Sequence, residues 1–104
     1  MKAILVMTTL PNREGAVRMA QDLIDAGLAA CVNVLAPCTS IYHWQGKTES
    51  AEEFPLLIKT SSTRYAELEQ KIRQQHPYEL PEIISVPIKN ALPEYLHWIE
   101  TETQ

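Results

Sequence analysis

The 104-residue chain has only three glycines, Gly15, Gly27 and Gly46, and that scarcity excludes several kinds of site. Neither a Gly-rich dinucleotide fingerprint nor a phosphate-binding P-loop can be built, and no Gly-x-Ser-x-Gly elbow occurs. Cysteine is scarcer still. Cys31 and Cys38 form no Cys-x-x-Cys pair, and there is no His-Glu-x-x-His helix, so no single segment encodes a closed zinc site. A metal site would have to be assembled from distant segments or from several subunits. Long apolar runs are also missing. The run Ala3 to Met7 is five residues long and is soon interrupted by Pro11-Asn12-Arg13-Glu14. It is too short for a signal-peptide h-region with a cleavage site, and nothing approaches the roughly 20 apolar residues of a membrane span. The expectation is a cytoplasmic protein with no membrane partner. The two cysteines lie seven apart in what reads as one extended segment, which sends their side chains to opposite faces and discourages a disulfide. Two reduced thiols fit a reducing compartment. Positive charge is short as well: 9 basic against 13 acidic residues give a formal charge of −4 and a pI near 5.3, which argues against nucleic acid as a partner.

What remains is an ordinary globular composition, 45% hydrophobic and 21% charged, which excludes disordered and collagen-like classes. The length predicts one domain, residues 1–104, large enough for a single core and small enough to profit from association. Ala3 to Met7 reads as a strand covered on both faces. Asn12 is a plausible N-cap for a helix with Ala16, Ala20, Leu23 and Ile24 on its apolar stripe and Gly27 as its stop. Ala29 to Trp44 reads as one strand bent at Pro37, and Gln45-Gly46-Lys47 turns it into a second strand, Thr48 to Thr60. Ser61 or Ser62 then caps a helix with Tyr65, Leu68 and Ile72 buried, ending before Pro77. Ile83 to Ile88 is a fourth strand with Pro87 marking a sheet edge, and Pro93 to Ile99 is a short docking helix carrying Tyr95, Leu96 and Ile99. The order βαββαβ plus a terminal helix predicts an α+β, ferredoxin-like sandwich with a long β-hairpin. That fold hosts unrelated functions, so activity has to be argued from side chains.

The densest chemistry is His76-Pro77-Tyr78-Glu79-Leu80-Pro81-Glu82, an imidazole, a phenol and two carboxylates braced by two prolines. The prolines make it a stiff helix-to-strand connection. His76 is a candidate copper or zinc ligand with Glu79 or Glu82 nearby, or a histidine at a helix C-terminus interacting with the dipole. Cys31 is a candidate thiolate, or a small core residue among Ala29, Ala30 and Val32. Lys59 could reach an anion in a cleft, or lay its stem over apolar surface. Tyr42 and Trp44 share a face near the hairpin tip and suit either an interface or packing within their own chain.

Taken in order, Cys31-Val32-Asn33-Val34, Ser40-Ile41-Tyr42-His43-Trp44-Gln45-Gly46-Lys47, Leu57-Ile58-Lys59-Thr60, His76 to Ile83 and Tyr95-Leu96-His97-Trp98 match a known pattern. The chain closely resembles the CutA family of divalent-cation tolerance proteins from about Met1 to Trp98. The resemblance implies a compact homotrimer similar in architecture to the PII nitrogen-signalling proteins, with hairpin strands pairing between subunits. It also implies a metal-response role without a defined catalytic reaction. Carried onto this sequence, Lys59, Tyr42, Trp44, Tyr78 and Glu79 would line an intersubunit ligand cleft, and His76, Glu82 and Cys31 would offer metal donors for copper or zinc. Some members carry a cysteine at the end of the first strand and a second histidine directly before His-Pro-Tyr; here those positions hold Thr8 and Gln75. The remaining donors would be less selective for copper. A PII-like signalling or adaptor module is the alternative, and a small hydrolase using Lys59, His76 and Glu82 is a third reading, for which no activated nucleophile is visible.

Overall fold

The computed structural model describes residues 2–104. Its first strand, β1 (Ala3–Leu10), runs past the apolar stretch because Thr8, Thr9 and Leu10 continue the antiparallel ladder against Leu56, Pro55 and Phe54 of the long strand β4 (Lys47–Ser61). Threonine suits a pleated strand, and a partner long enough to pair with it overrides the polar boundary. Helix α1 (Arg13–Asp25) starts where Asn12 Oδ1 accepts the Gly15 backbone N–H at 2.7 Å. It ends in a Schellman motif: Leu28 N–H donates to the Leu23 carbonyl and Gly27 N–H to that of Ile24, with Gly27 at φ +71°.

The expected single bent strand is two strands, β2 (Cys31–Val34) and β3 (Cys38–Trp44), interrupted at Leu35-Ala36-Pro37. Both lie along the same side of β4 (Lys47–Ser61), so the break makes room for Pro37 without ending the alignment. Positive φ at both Gln45 and Gly46, 50° and 80°, makes a two-residue turn of the mirror-image type that matches strand twist. A 3₁₀ turn (Ser62–Arg64) precedes α2 (Tyr65–Gln75), and the Ser61 hydroxyl does not cap it; that hydroxyl contacts Thr63 and Thr103 instead. Strand β5 (Ile84–Pro87) pairs only with β1, so Pro87 does sit at a sheet edge. Helix α3 (Pro93–Glu102) begins with proline and runs three residues past the expected end; it is anchored by buried Ile99 rather than by Tyr95 or Leu96.

The sheet order β2-β4-β1-β5, with α1 and α2 packed on one face, is the ferredoxin-like arrangement. Alternate residues Val6 and Leu10 of β1 and Leu56 and Ile58 of β4 meet Ala16, Met19, Leu23, Leu68 and Ile72 of the helices to form the core. The opposite face carries Leu5, Met7, Leu57, Ile84 and Val86, and α3 crosses only one end of it, tied down by Ser61 Oγ to Thr103 Oγ1 at 2.9 Å and by Arg64 Nε donating to the Thr103 carbonyl. Beyond Leu10, β4 has β3 on one side and nothing on the other, so the distal hairpin is a two-stranded ribbon.

Candidate functional site at the root of the hairpin

Where β1 ends, the segment after α2 folds across to meet β4. His76 leaves the helix in an extended conformation and buries its ring, with Nε2 2.6 Å from the Thr9 carbonyl and Nδ1 accepting the Tyr78 backbone N–H at 3.1 Å. A carbonyl can only accept, so Nε2 carries the hydrogen and donates; Nδ1 is then the free lone pair that takes the amide hydrogen. Both nitrogens are committed. His76 is therefore a rivet between the loop and the end of β1, neither the dipole-facing histidine nor an open metal ligand within this chain.

The rivet brings a second group into play. Thr9 Oγ1 donates to Glu53 Oε2 at 3.2 Å, and Glu53, on β4 opposite Cys38, is 8% exposed. The Tyr78 phenol lies beside the same carboxylate. Burial first, then the hydrogen bond to Glu53 and its charge, with a smaller effect of Tyr42, push Tyr78 from 10.0 up to about 12. The Tyr78 ring packs 4.9 Å from that of His76. A buried carboxylate, the Tyr78 phenol and the Thr9 hydroxyl thus converge at the hairpin root.

Of the residues singled out by sequence, His76 and Tyr78 belong to this cluster, and Tyr42 lies further out on β3, opposite Glu49. Glu79 and Glu82 are exposed on the loop, and Trp44 is exposed beside the turn. Lys59 and Cys31 are elsewhere: they face each other across β4 and β2, level with Leu5, four residues or roughly 13 Å along β1 from Thr9. Lys59 Nζ lies 5.8 Å from the centre of the Tyr95 ring, and Cys31 Sγ is 3.9 Å from Asn33 Oδ1. Among the described residues no three His, Cys, Asp or Glu side chains are grouped to hold a metal ion. His76, Glu82 and Cys31 of one chain therefore do not form a metal site together. Both cysteines are free, but the expected reason was wrong. They do not oppose each other across a single strand; they sit opposite Lys59 and Glu53, six positions apart on β4.

Sequence reasoning missed Glu53 and Thr9. Glu53 falls out of phase with the core positions Phe54, Leu56 and Ile58, so its pattern is that of a solvent-facing glutamate. No local signal marks it, because what buries it is a loop more than twenty residues further along.

A family profile described as CutA1 divalent ion tolerance protein matches residues 4–102. The chain belongs to the CutA1 family. It is 39% identical over 99 residues to the divalent-cation tolerance protein CutA of Thermus thermophilus, covering 95% of this chain and 96% of that one. It is 41% identical to the mouse protein CutA over 92% of this chain, but spans only 54% of the mouse protein's length. The crystal structure of CutA1 from Oryza sativa superimposes with a TM-score of 0.97 at 36% identity, over 100% of this chain and 95% of that one. The hairpin, its turn and the His76 segment thus belong to a member of that family, and the ferredoxin-like reading of the fold holds.

Proposed function

We propose that this CutA1-family chain works as a cytoplasmic homotrimer that binds a divalent metal ion or a small ligand in clefts between subunits and catalyses no reaction of its own. The observation that carries this reading is the uncovered half of the sheet. Ile84 is 49% exposed and Val86 42%, on a face that also carries Leu5, Met7 and Leu57 and runs into a ribbon with open edges. An isolated two-stranded ribbon is marginal in water, and exposed strand edges invite pairing. Two further copies would supply both the missing strands and the missing apolar cover.

The Glu53–Tyr78–His76 cluster lies where the ribbon leaves the sheet, so a subunit pairing with the ribbon would face it. The donor set of one chain is incomplete for a metal, which fits a site shared between copies, with exposed Glu79 and Glu82 as this chain's contribution. His76 could join only by exchanging its bond to the Tyr78 amide for the metal. Free thiols support the reducing compartment.

Light scattering should give about three subunits per particle at micromolar concentration. Calorimetric titration with copper and with zinc should show binding that weakens in Glu82→Ala and in His76→Ala. A persistent monomer would defeat the assembly, and isotherms identical in all three proteins would remove both residues from any metal site.

A further inference from the structure

Glu53 poses a charge problem that the single chain leaves unsolved. Taking a carboxylate out of water costs several kcal/mol unless an opposite charge or a full set of donors replaces the solvent. Its hydrogen-bond partner is the Thr9 hydroxyl, and neither that group nor the Tyr78 phenol beside it carries charge. Among the described residues the one ion pair is Arg64–Glu67, at the start of α2. Lys59, on the same face of β4, is six positions away, roughly 20 Å, and lies against Tyr95. What surrounds the carboxylate is aromatic: Tyr78 beside it, Tyr42 near Tyr78, and the His76 ring behind.

This combination fits one kind of cation much better than another. A divalent metal needs several anionic or imidazole donors; among the described residues no three are grouped here, and both His76 nitrogens are taken. An alkylammonium or guanidinium needs one carboxylate to accept charge-assisted hydrogen bonds and aromatic faces to attract its charge. We propose that Glu53, with Thr9 and Tyr78 beside it, seats an alkylammonium or guanidinium group, supplied by a lysine or arginine of a second copy or by a free amine. The inference names the ligand class for the cleft proposed above and rests on that cleft for its location.

The test has two arms on the intact protein, each run on wild type and Glu53→Gln. The first follows the oligomer by light scattering through a dilution series. The second titrates agmatine, which carries both an ammonium and a guanidinium, by calorimetry at low ionic strength. If the cation comes from a second copy, Glu53→Gln raises the oligomer dissociation constant at least tenfold. If it is a free amine, the oligomer is unchanged and agmatine affinity falls at least tenfold. Should Glu53→Gln fail to fold by circular dichroism, Tyr78→Leu replaces it, since Tyr78 sits half-buried on a loop and its loss should still weaken the affected arm severalfold. A wild-type oligomer with both arms unmoved overturns this inference and leaves the trimeric cleft standing. A wild-type monomer defeats the cleft, and the agmatine arm alone then decides whether Glu53 binds a cation. Zinc bound through Glu53 in place of agmatine also overturns the inference.

Discussion

Leu56, Ile58 and Thr60 of β4 are fully enclosed, whereas Leu57 and Lys59 between them face a surface on which Ile84 and Val86 keep two-fifths or more of their area in water. The same strand builds both surfaces, so intrinsic strand propensity cannot account for the difference. The covered face has two amphipathic helices laid on it by the crossovers. The other face has only the short α3 across one end. One side therefore contributes most of the stability of a single chain, and the other is left available for association.

The sharpest way to break this comparison is Leu56→Ala. It removes an enclosed side chain from the central strand and should cost about 2–5 kcal/mol, read as a lower denaturant midpoint at unchanged slope. A cost near that of an exposed substitution would mean that the helix-covered face is not the main source of stability.

The hairpin root should show itself in alkali. Tyr78 is raised in the folded state, so its contribution is complete below pH 10.0 and is lost as pH rises from there toward about 12. Burial and Glu69 also raise Tyr65, so ultraviolet titration should find two tyrosines ionising late, the later of them missing from Tyr78→Phe. In Glu53→Gln it should ionise earlier, yet still above 10.0, because burial is the first cause. An unchanged late titration in Glu53→Gln would uncouple the two groups.

A subtler contrast lies within the covered face. Thr8 is fully buried and its hydroxyl is the one enclosed side-chain polar atom, among the described residues, without a hydrogen-bond partner. Thr8→Val keeps the shape and removes the orphaned group, so the protein should gain about 1 kcal/mol. A destabilised variant would show that the hydroxyl has a partner. Smallest of all, Val86→Ala should change single-chain stability by no more than about 0.5 kcal/mol. If the open face is covered in an oligomer, its effect should grow with protein concentration in repeated denaturant titrations.

Much of the fold was legible because its signals are local. Asn12 before an amphipathic stripe, Gly27 after it, the Gln45-Gly46 turn and Pro77 each act within a few residues, and each took effect where expected. The errors came where partners intervene: β1 was extended by the ladder to β4, the Ala29 to Trp44 segment was cut at Leu35 to Pro37, and the Ser61 hydroxyl was drawn away to Thr103. The site was legible only in part. His76 and Tyr78 stand out as residue types, but their partners Thr9 and Glu53 look like ordinary strand positions.

By itself the sequence determined the order of elements, the caps and turns between them and the family to which they belong, since these depend on backbone preferences and periodicity over short stretches. Tertiary structure alone decided that His76 is a buried rivet, that Glu53 is enclosed without a cation, and that Cys31 lies far from both. Those outcomes depend on which residues a long antiparallel ladder and a folded-back loop place side by side. Burial and hydrogen bonding are set by neighbours in space, and here the decisive neighbours are 44 and 67 residues apart in the chain.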